Sequence, residues 1–302
     1  MTLERKSPCK VNLLLNILGK RADGFHELET VMHPLAVFDS LSFARTGTTG
    51  IQLTCNERHL PTDSRNLVYR AAAAFLQTAG VREGVRIRLE KQIPLAAGLG
   101  GGSGNAAATL SGLNELFDGP LSAGQLHEIA AALGSDIPFF LQPKPALATG
   151  RGEGIQPLDW FPALQGAAFL LIHPGFGIST AWAYQHLARF PAALNGRSGR
   201  AQELVSRLRT ADLKTAGSEF YNSLEAPALE KYPLLALFQK FLRDCGAPAT
   251  LMSGSGSTTF AVAEGQAAAE QLAERFKRKF GPTYWVKVVP VWRTDGPGSA
   301  ES

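Results

Sequence analysis

A stretch of twelve residues, Pro94 to Asn105, contains five glycines and constrains the fold more than any other part of the sequence. Alternating apolar and polar residues over 85–90 predict a β-strand before it, and apolar residues at helical spacing from Leu110 to Phe117 predict a helix after it. A glycine loop between a strand and a helix leaves backbone N–H groups uncovered at the positive end of the helix, which favours phosphate binding. A flexible linker is the alternative, but linkers rarely lie between two periodic elements.

The standard phosphate-binding motifs do not account for this loop. The Gly-Lys pair at Gly19-Lys20 is followed by Arg21, so it cannot complete the P-loop pattern G-x-x-x-x-G-K-S/T. Ser103 stands where the dinucleotide pattern G-x-G-x-x-G requires its third glycine. A phosphate site at this loop therefore predicts a fold outside both of these groups.

Length and composition indicate a globular chain with two domains. The sequence has 302 residues, of which 45% are hydrophobic and 19% are charged, and this length is large for one domain. A shift to glycine at 149–154 predicts the boundary, which gives domains of residues 1–152 and 153–302. The net charge of +4 suits an anionic small substrate as well as a nucleic acid, so it does not separate the two.

Cysteine usage and hydropathy predict the compartment. The 3 cysteines form no C-x-x-C pair, the first residues do not resemble a signal peptide, and no apolar run approaches the roughly 20 residues of a membrane helix. We therefore expect free thiols, a cytoplasmic location and no membrane partner. The last residues, Gly296 to Ser302, are expected to be a disordered tail.

Periodic segments predict a mixture of strands and helices along the rest of the chain. We expect strands at Ser7–Gly19, Leu35–Ala44, Ile51–Cys55, Ala167–His173, Ala249–Met252, Phe260–Ala263 and Tyr284–Val291. We expect helices that begin near Asn66, Ser122, Ser179, Ala201, Asp212, Leu234 and Gln266.

Three further places carry residue types suited to catalysis or binding. Lys10 and Asn12 share one face of the first predicted strand, which is either a solvated sheet face or part of a site. Phe25 and His26 follow an Asp-Gly turn and could stack on a ring and hydrogen-bond its edge, or could pack in the core. Asp136 lies where a helical turn begins, either as a simple cap or as a carboxylate of a site.

A second glycine stretch, Met252-Ser253-Gly254-Ser255-Gly256-Ser257-Thr258, offers small residues and hydroxyls, which suit phosphate binding or a tight loop. With Ser7-Pro8-Cys9-Lys10-Val11-Asn12 and the first glycine stretch, it forms an ordered set that resembles the GHMP kinases. The supporting motifs are Arg21-Ala22-Asp23-Gly24-Phe25-His26, Gly134-Ser135-Asp136-Ile137-Pro138-Phe139-Phe140 and His173-Pro174-Gly175. The resemblance covers nearly the whole chain.

The resemblance implies an α+β fold of two domains, a ribosomal-S5-type N-terminal domain and a ferredoxin-like C-terminal domain, with the active site in the cleft between them. Within the superfamily the chain is most similar to members that act on a cytidine diphosphate ester. The implied reaction transfers the γ-phosphoryl of ATP, with Mg²⁺, to the 2-hydroxyl of the methylerythritol part of that ester. This reaction is a step of the non-mevalonate isoprenoid pathway.

The resemblance also implies roles for individual residues. Asp136 matches the catalytic base and Lys10 the catalytic lysine that orients it and balances charge on the transferring group. The positions that match the ATP site are Pro94, Leu95, Ala96, Ala97, Gly98, Leu99, Gly100, Gly101, Gly102, Ser103, Gly104, Asn66 and Lys91. The positions that match the substrate site are Asn12, Phe25, His26, Thr180, Tyr184, Ser253, Gly254 and Ser255. No residue is assigned as a metal ligand.

Two departures from the family pattern, at Phe25 and Gly104, bear on these roles. The family usually has tyrosine at the position of Phe25, so stacking is retained while a hydroxyl contact is lost. It usually has a second serine at the position of Gly104, a hydroxyl that relatives can offer to magnesium or phosphate.

The expected partners are ATP and the cytidine ester, without nucleic acid, in a monomer or weak homodimer. One alternative is a GHMP kinase for another small alcohol, such as homoserine, mevalonate or a sugar. A second is a non-enzymatic RNA-binding protein built on the S5-like domain, against which the scattered charge argues. The third, a dinucleotide-dependent oxidoreductase, conflicts with the spacing of the glycines.

Overall fold

The computed structural model describes residues 2–142 and 144–291, so the predicted tail Gly296–Ser302 lies outside the described residues. Two densely packed units alternate along the chain. One unit comprises the described residues within Met1–Cys9, Val37–Leu95 and Gly100–Pro143, and the other those within Lys10–Ala36, Ala96–Leu99 and Lys144–Ser302. The predicted division into residues 1–152 and 153–302 stays a prediction.

Strands and helices alternate from one end of the described chain to the other. The strands are β1 (Thr2–Lys20), β2 (His26–Thr46), β3 (Ile51–Cys55), β4 (Gly84–Glu90), β5 (Ala146–Gly150), β6 (Gly154–Pro157), β7 (Ala168–His173), β8 (Tyr221–Asn222), β9 (Ala249–Met252), β10 (Thr259–Ala263) and β11 (Trp285–Pro290). The helices are α1 (Leu67–Ala79), α2 (Gly101–Leu116), α3 (Ala123–Leu133), α4 (Ile137–Phe140), α5 (Thr180–Leu187), α6 (Pro191–Leu194), α7 (Arg200–Thr210), α8 (Leu213–Gly217), α9 (Glu225–Lys231), α10 (Pro233–Asp244) and α11 (Gln266–Phe280), with a 3-10 turn at Pro162–Leu164.

In the first unit, helices α1 and α2 pack on a small sheet, and α3 packs against these two helices. Strand β4 pairs antiparallel with the second half of β2 and parallel with β3. Asn66 caps α1 by accepting a hydrogen bond from Val68 N, and Gly80 ends the helix in the left-handed conformation. The buried side chains of this unit, Phe43 and Phe75 among them, form one apolar core beneath α2.

In the second unit, an antiparallel sheet in the order β11-β7-β10-β9 packs against α10 and α11. Phe238 of α10 and Phe276 of α11 meet edge to face, with ring centroids 4.8 Å apart, in the core of this layer. The first half of β2 pairs with β5, which forms a hairpin with β6, and β1 pairs with β8. The alternation of sheet and helix in both units confirms the predicted α+β class.

Most predicted elements are confirmed, and several have the predicted bounds, such as Ile51–Cys55 and Ala249–Met252. The prediction that Pro94–Asn105 is one loop is wrong for its last five residues, because α2 begins at Gly101. Glycine is needed inside this helix for close packing, since a Cβ on Gly104 would lie 2.8 Å from Pro8 O. The hairpin β5–β6 occupies the glycine-rich segment that was expected to be a boundary.

The chain's helices do not meet the requirements of a membrane span: over residues 2–142 and 144–291, none is both long and apolar enough. Among the described residues, the cysteines at 9, 55 and 245 are not joined in disulfides.

His33 provides a stability prediction, because it is fully buried among Trp160, Phe161 and Phe169. Its Nδ1 donates to Pro34 O over 2.9 Å, and its Nε2 has no hydrogen-bond partner in the described structure. Burial lowers the pKa of His33 from 6.5 to about 4. In the unfolded chain, His33 therefore takes up a proton as the pH falls below 6.5, whereas in the folded chain it does so only near pH 4. Between these two pH values the unfolded chain binds more protons than the folded chain.

We expect the free energy of unfolding to fall by roughly 3 kcal/mol as the pH drops through this window, since each pKa unit is worth about 1.4 kcal/mol. Urea unfolding of the wild type and of His33→Leu at several pH values checks this. The difference between the two proteins should change across the window, and a difference that is independent of pH would contradict the assignment.

Candidate functional site

The first glycine loop ends at the uncapped start of a long helix. Gly100 is the N-cap of α2, with a φ of 69°, and no side chain caps the helix there. The four N–H groups of a first helical turn lack partners within the helix, and the 16-residue length of α2 gives the turn a positive dipole end. The start of α2 thus has the backbone geometry that anions such as phosphate bind.

Gly98 serves a different purpose in the same loop, because it contacts the second glycine stretch. Its φ is 77°, and a Cβ placed on it would lie 2.0 Å from Ser253 O. The hydroxyl of Ser253 donates to Gly98 O over 2.9 Å, and Thr258 N donates to Ala97 O over 3.1 Å. The two glycine stretches, far apart in sequence, are therefore held together by these two hydrogen bonds, and the close approach of Ser253 O excludes a side chain at Gly98.

Lys10 and Asn12 lie beside this junction. Both are buried, and Lys10 Nζ donates to Asn12 Oδ1 over 2.5 Å. Asn12 Nδ2 in turn donates to Thr30 Oγ1 over 2.8 Å. A Cβ on Gly254 would lie 3.4 Å from both Lys10 Nζ and Asn12 Oδ1. This face of β1 is therefore a polar cluster against the second glycine stretch rather than a solvated sheet face.

Two residues that the sequence reasoning missed hold the second glycine stretch. Asn222 donates from Nδ2 to Met252 O over 2.7 Å and to Gly254 O over 2.8 Å. Glu225 accepts from Met252 N over 2.8 Å, and burial raises the pKa of its carboxyl. No short motif marked these residues, because their role depends on contacts with residues about 30 positions away.

The start of α5 brings another predicted residue to the second stretch. Ser179 caps α5 by accepting from Trp182 N over 3.3 Å. Thr180, the first residue of the helix, has its hydroxyl 3.0 Å from that of Ser255. Thr180 and Ser255 were both predicted to contact substrate, and the structure places them in direct contact.

Three aromatic side chains were predicted to bind the cytosine end, Phe25, His26 and Tyr184, and we call them the aromatic group. The rings of His26 and Tyr184 are 5.0 Å apart and inclined at 37°. Burial, followed by the charge of Lys20, lowers the pKa of His26, which favours the neutral imidazole, a ring that can both donate and accept hydrogen bonds. Phe25 is 53% exposed, and the guanidinium of Arg151, which was not predicted, lies 4.8 Å from its ring centroid.

Asp136 occupies the N-cap position of α4 without capping it. Its φ and ψ are −83° and −13°, and its side chain makes no capping hydrogen bond. The alternative interpretation, in which the Asp136 side chain serves only to cap a helix, is therefore wrong. Because α4 has 4 residues, the electrostatic effect of this helix on the carboxylate is smaller than a long helix would give.

Two residues predicted near the nucleotide have internal partners. Asn66 caps α1 and also donates from Nδ2 to Pro61 O over 2.6 Å. Lys91, whose side chain is 6% exposed, is ion-paired with Asp39 and donates to Asn105 Oδ1 over 3.1 Å. A direct contact of either residue with ATP stays a prediction.

The His, Cys, Asp and Glu side chains of residues 2–142 and 144–291 bear on whether the protein itself holds a metal ion. Over the described residues, no group of three His, Cys, Asp or Glu side chains is placed to hold a metal ion. Mg²⁺ that arrives on a nucleotide needs only one or two protein carboxylates besides the phosphate oxygens, so such a cluster is not required for a kinase.

Two family models and several known proteins match this chain. The family described as GHMP kinases N terminal domain matches residues 66–143, and the family described as GHMP kinases C terminal matches residues 202–282. A 4-diphosphocytidyl-2-C-methyl-D-erythritol kinase of Pelotomaculum thermopropionicum is 41% identical over 278 residues, which are 92% of this chain and 95% of the relative.

Solved structures show the same fold. A 4-(cytidine 5′-diphospho)-2C-methyl-D-erythritol kinase, 34% identical, superposes with a TM-score of 0.77 over 95% of this chain and 99% of that one. A homoserine kinase from Cytophaga hutchinsonii, 20% identical, superposes with a TM-score of 0.75 over 96% of this chain and 95% of that one. The second likeness shows the fold alone.

Proposed function

Because the chain belongs to the GHMP kinases, we propose that it phosphorylates the 2-hydroxyl of 4-diphosphocytidyl-2-C-methyl-D-erythritol with ATP. The products are the 2-phosphate and ADP, and the reaction is a step of the non-mevalonate isoprenoid precursor pathway. The observation that carries this proposal is the 41% identity, along almost all of both chains, to a relative of that name. The homoserine kinase with the same fold is only 20% identical.

In the proposed mechanism the loop and the start of α2 hold the phosphates of ATP. The N–H groups of the first turn of α2 have no side-chain cap, and their positive partial charge attracts the negative charge of a phosphate. Phosphoryl transfer depends mainly on position and on neutralising charge, which such a site supplies. Mg²⁺ is proposed to come with ATP, and its chemistry is the neutralisation of phosphate charge.

Asp136 and Lys10 are proposed as the catalytic residues. The 2-hydroxyl oxygen attacks the γ-phosphorus, the bond from that phosphorus to the ADP oxygen breaks, and the hydroxyl proton passes to the Asp136 carboxylate. The ammonium of Lys10 stabilises negative charge on the transferring group. The support for Asp136 is its match to the family's catalytic base at the start of α4, and for Lys10 that it lies in the cluster beside Gly254.

The cytidine end of the substrate is proposed to bind at the aromatic group. Phe25 offers an exposed ring for stacking, His26 hydrogen-bonds the cytosine edge, and Tyr184 lies against His26. The residues proposed to contact the rest of the substrate are Asn12, Thr180, Ser253, Gly254 and Ser255. In support, Asn12 and Thr180 lie beside the second glycine stretch, to which the other three belong. A cytoplasmic location and a monomer or weak homodimer stay predictions.

A panel of acceptors tests the proposed function. The purified protein is given ATP with the cytidine ester, homoserine, mevalonate or galactose, and ADP release is followed for each. We expect turnover with the cytidine ester alone. Preferred turnover of another alcohol would retain the kinase assignment and overturn the proposed substrate, whereas tight RNA binding without turnover of any acceptor would overturn both.

Removal of the Phe25 ring tests the cytosine site. We expect Phe25→Ala to raise KM for the cytidine ester roughly 5- to 100-fold, because stacking of one base on an aromatic ring is worth about 1–3 kcal/mol. KM for ATP should not change. Leu237→Ala is the matched control, since Leu237 is an apolar side chain of similar exposure, 55% against 53%. Equal changes in the two KM values of Phe25→Ala would contradict the assignment.

A further inference from the structure

Asp39 is a fully buried carboxylate that contacts the chain on both sides of the first glycine loop. Its Oδ1 accepts from Gln92 N over 2.7 Å and from Ile93 N over 2.9 Å, immediately before the loop. Its Oδ2 accepts from Asn105 Nδ2 over 2.9 Å, in the second turn of α2 after the loop. One side chain of β2 therefore ties together the two ends of the stretch from Pro94 to Asn105.

Lys91 completes the cluster and neutralises the buried charge. Its ammonium is ion-paired with Asp39 and donates to Asn105 Oδ1 over 3.1 Å, so both ends of the Asn105 amide are bonded within the cluster. A Cβ on Gly101 would lie 3.1 Å from Lys91 Nζ, which places the first turn of α2 directly on the ammonium. We call these three residues, Asp39, Lys91 and Asn105, the Asp39 cluster.

The energetics of burial make this cluster a constraint on the loop. A buried charge is tolerated only when it is paired and its hydrogen bonds are satisfied. Asp39 meets both conditions only while the main chain at Gln92 and Ile93 and the side chain of Asn105 keep their present positions. A shift of either end of the loop would leave a buried charge without its partners.

We propose that Asp39 is a positioning residue for ATP, acting through the loop and the first turn of α2 rather than by contact with the nucleotide. This inference rests on the proposed function, since it takes the loop as the ATP-phosphate site. It also gives Lys91 a role through the Asp39 cluster, in which its ammonium is already bound. The specific consequence is that substitutions in the Asp39 cluster weaken the binding of ATP and leave the binding of the alcohol substrate unchanged.

A buried carboxylate elsewhere in the chain supplies a matched control. Glu29 is also buried, and it accepts from Asn16 Nδ2 over 2.8 Å, Gly199 N over 3.1 Å and Ala201 N over 3.2 Å. It holds the start of α7 and has no bond to the glycine loop. Glu29→Gln therefore reports the general cost of neutralising a hydrogen-bonded buried carboxylate.

The experiment compares steady-state kinetics of Asp39→Asn, Glu29→Gln and the wild type, together with ADP binding by calorimetry. We expect Asp39→Asn to raise KM for ATP and the Kd for ADP by about tenfold or more, because small displacements of positioning groups have effects of that order. KM for the cytidine ester should stay within about twofold. Glu29→Gln should lower thermal stability but leave both KM values unchanged. Equal nucleotide affinity in Asp39→Asn and the wild type would overturn the proposal.

Two further variants keep the test decisive if Asp39→Asn does not fold. Asp39→Asn combined with Lys91→Met removes both charges and leaves neither buried alone. Lys91→Met by itself leaves Asp39 with its three N–H donors. Both should weaken ADP binding, and unchanged binding in both overturns the proposal. A wild type that binds ADP but does not phosphorylate the ester would instead overturn the proposed substrate.

Discussion

Asp136→Ala is expected to lower kcat by about 10²- to 10⁴-fold, the usual contribution of a positioned general base. The hydroxyl proton then has no carboxylate to receive it. The Kd for ADP should not change, because Asp136 is proposed to contact the reacting alcohol and not the nucleotide. Single-turnover kinetics with the cytidine ester, together with ADP calorimetry, measure the two quantities separately.

Asp212 provides the control for this substitution, because it is also an aspartate at a helix N-cap. Its side chain does cap, accepting from Thr215 N over 2.8 Å at the start of α8. Asp212→Ala should therefore cost about 1 kcal/mol of stability and leave kcat unchanged. A kcat near the wild-type value in Asp136→Ala would remove Asp136 from the role of base.

Gly98→Ala is expected to lower the free energy of unfolding by more than about 4 kcal/mol, or to prevent folding. Single substitutions have effects of this size only when they create a specific structural conflict. The new Cβ would lie 2.0 Å from Ser253 O, and a φ of 77° is itself unfavourable for alanine. Either the loop or the second glycine stretch must move. Because Lys10 and Asn12 pack beside Gly254 in that stretch, the protein that does fold should also lose activity.

Gly80→Ala separates backbone strain from steric overlap. Gly80 also has a positive φ, 66°, but no atom lies within 4 Å of the Cβ it would carry. Its replacement should cost only about 1 kcal/mol, the strain of a left-handed alanine. Urea unfolding of both variants gives the comparison, and similar losses of stability would show that the contact with Ser253 does not constrain the loop.

The parts of the fold that follow from local sequence were predictable. The alternation over Ile51–Cys55 and the cap and stop at Asn66 and Gly80 depend only on near neighbours, and the structure has the corresponding strand and helix. The start of α2 was misplaced, because a run of glycines signals a loop unless the packing partner is known. That partner is the main chain of β1 at Pro8, about 96 positions away from Gly104 in sequence.

Residues of the candidate site could be assigned where a motif repeats a family pattern, and those assignments stay predictions. Residues that act through tertiary contacts could not be assigned in this way. Thr180 and Ser255 were both assigned from the resemblance, and they contact each other. Asp39, Asn222 and Arg151 carry no local signature, since a buried aspartate or a stacked arginine is defined by residues from other elements. Such residues become visible only when the chain is folded, which is why long-range positioning groups escape sequence reasoning.

The central claim is most directly tested by the ratio of kcat/KM for the cytidine ester to kcat/KM for methylerythritol phosphate, which lacks the cytidine. Phosphorus NMR of the products identifies the position of the new phosphate. We predict a ratio of about 100 or more, because the proposed cytosine site at Phe25 and His26 would lose both base stacking and edge hydrogen bonds with the shorter acceptor. We also predict a single new phosphomonoester, on the 2-hydroxyl. Equal turnover of the two acceptors, or phosphate on another hydroxyl, would contradict the account.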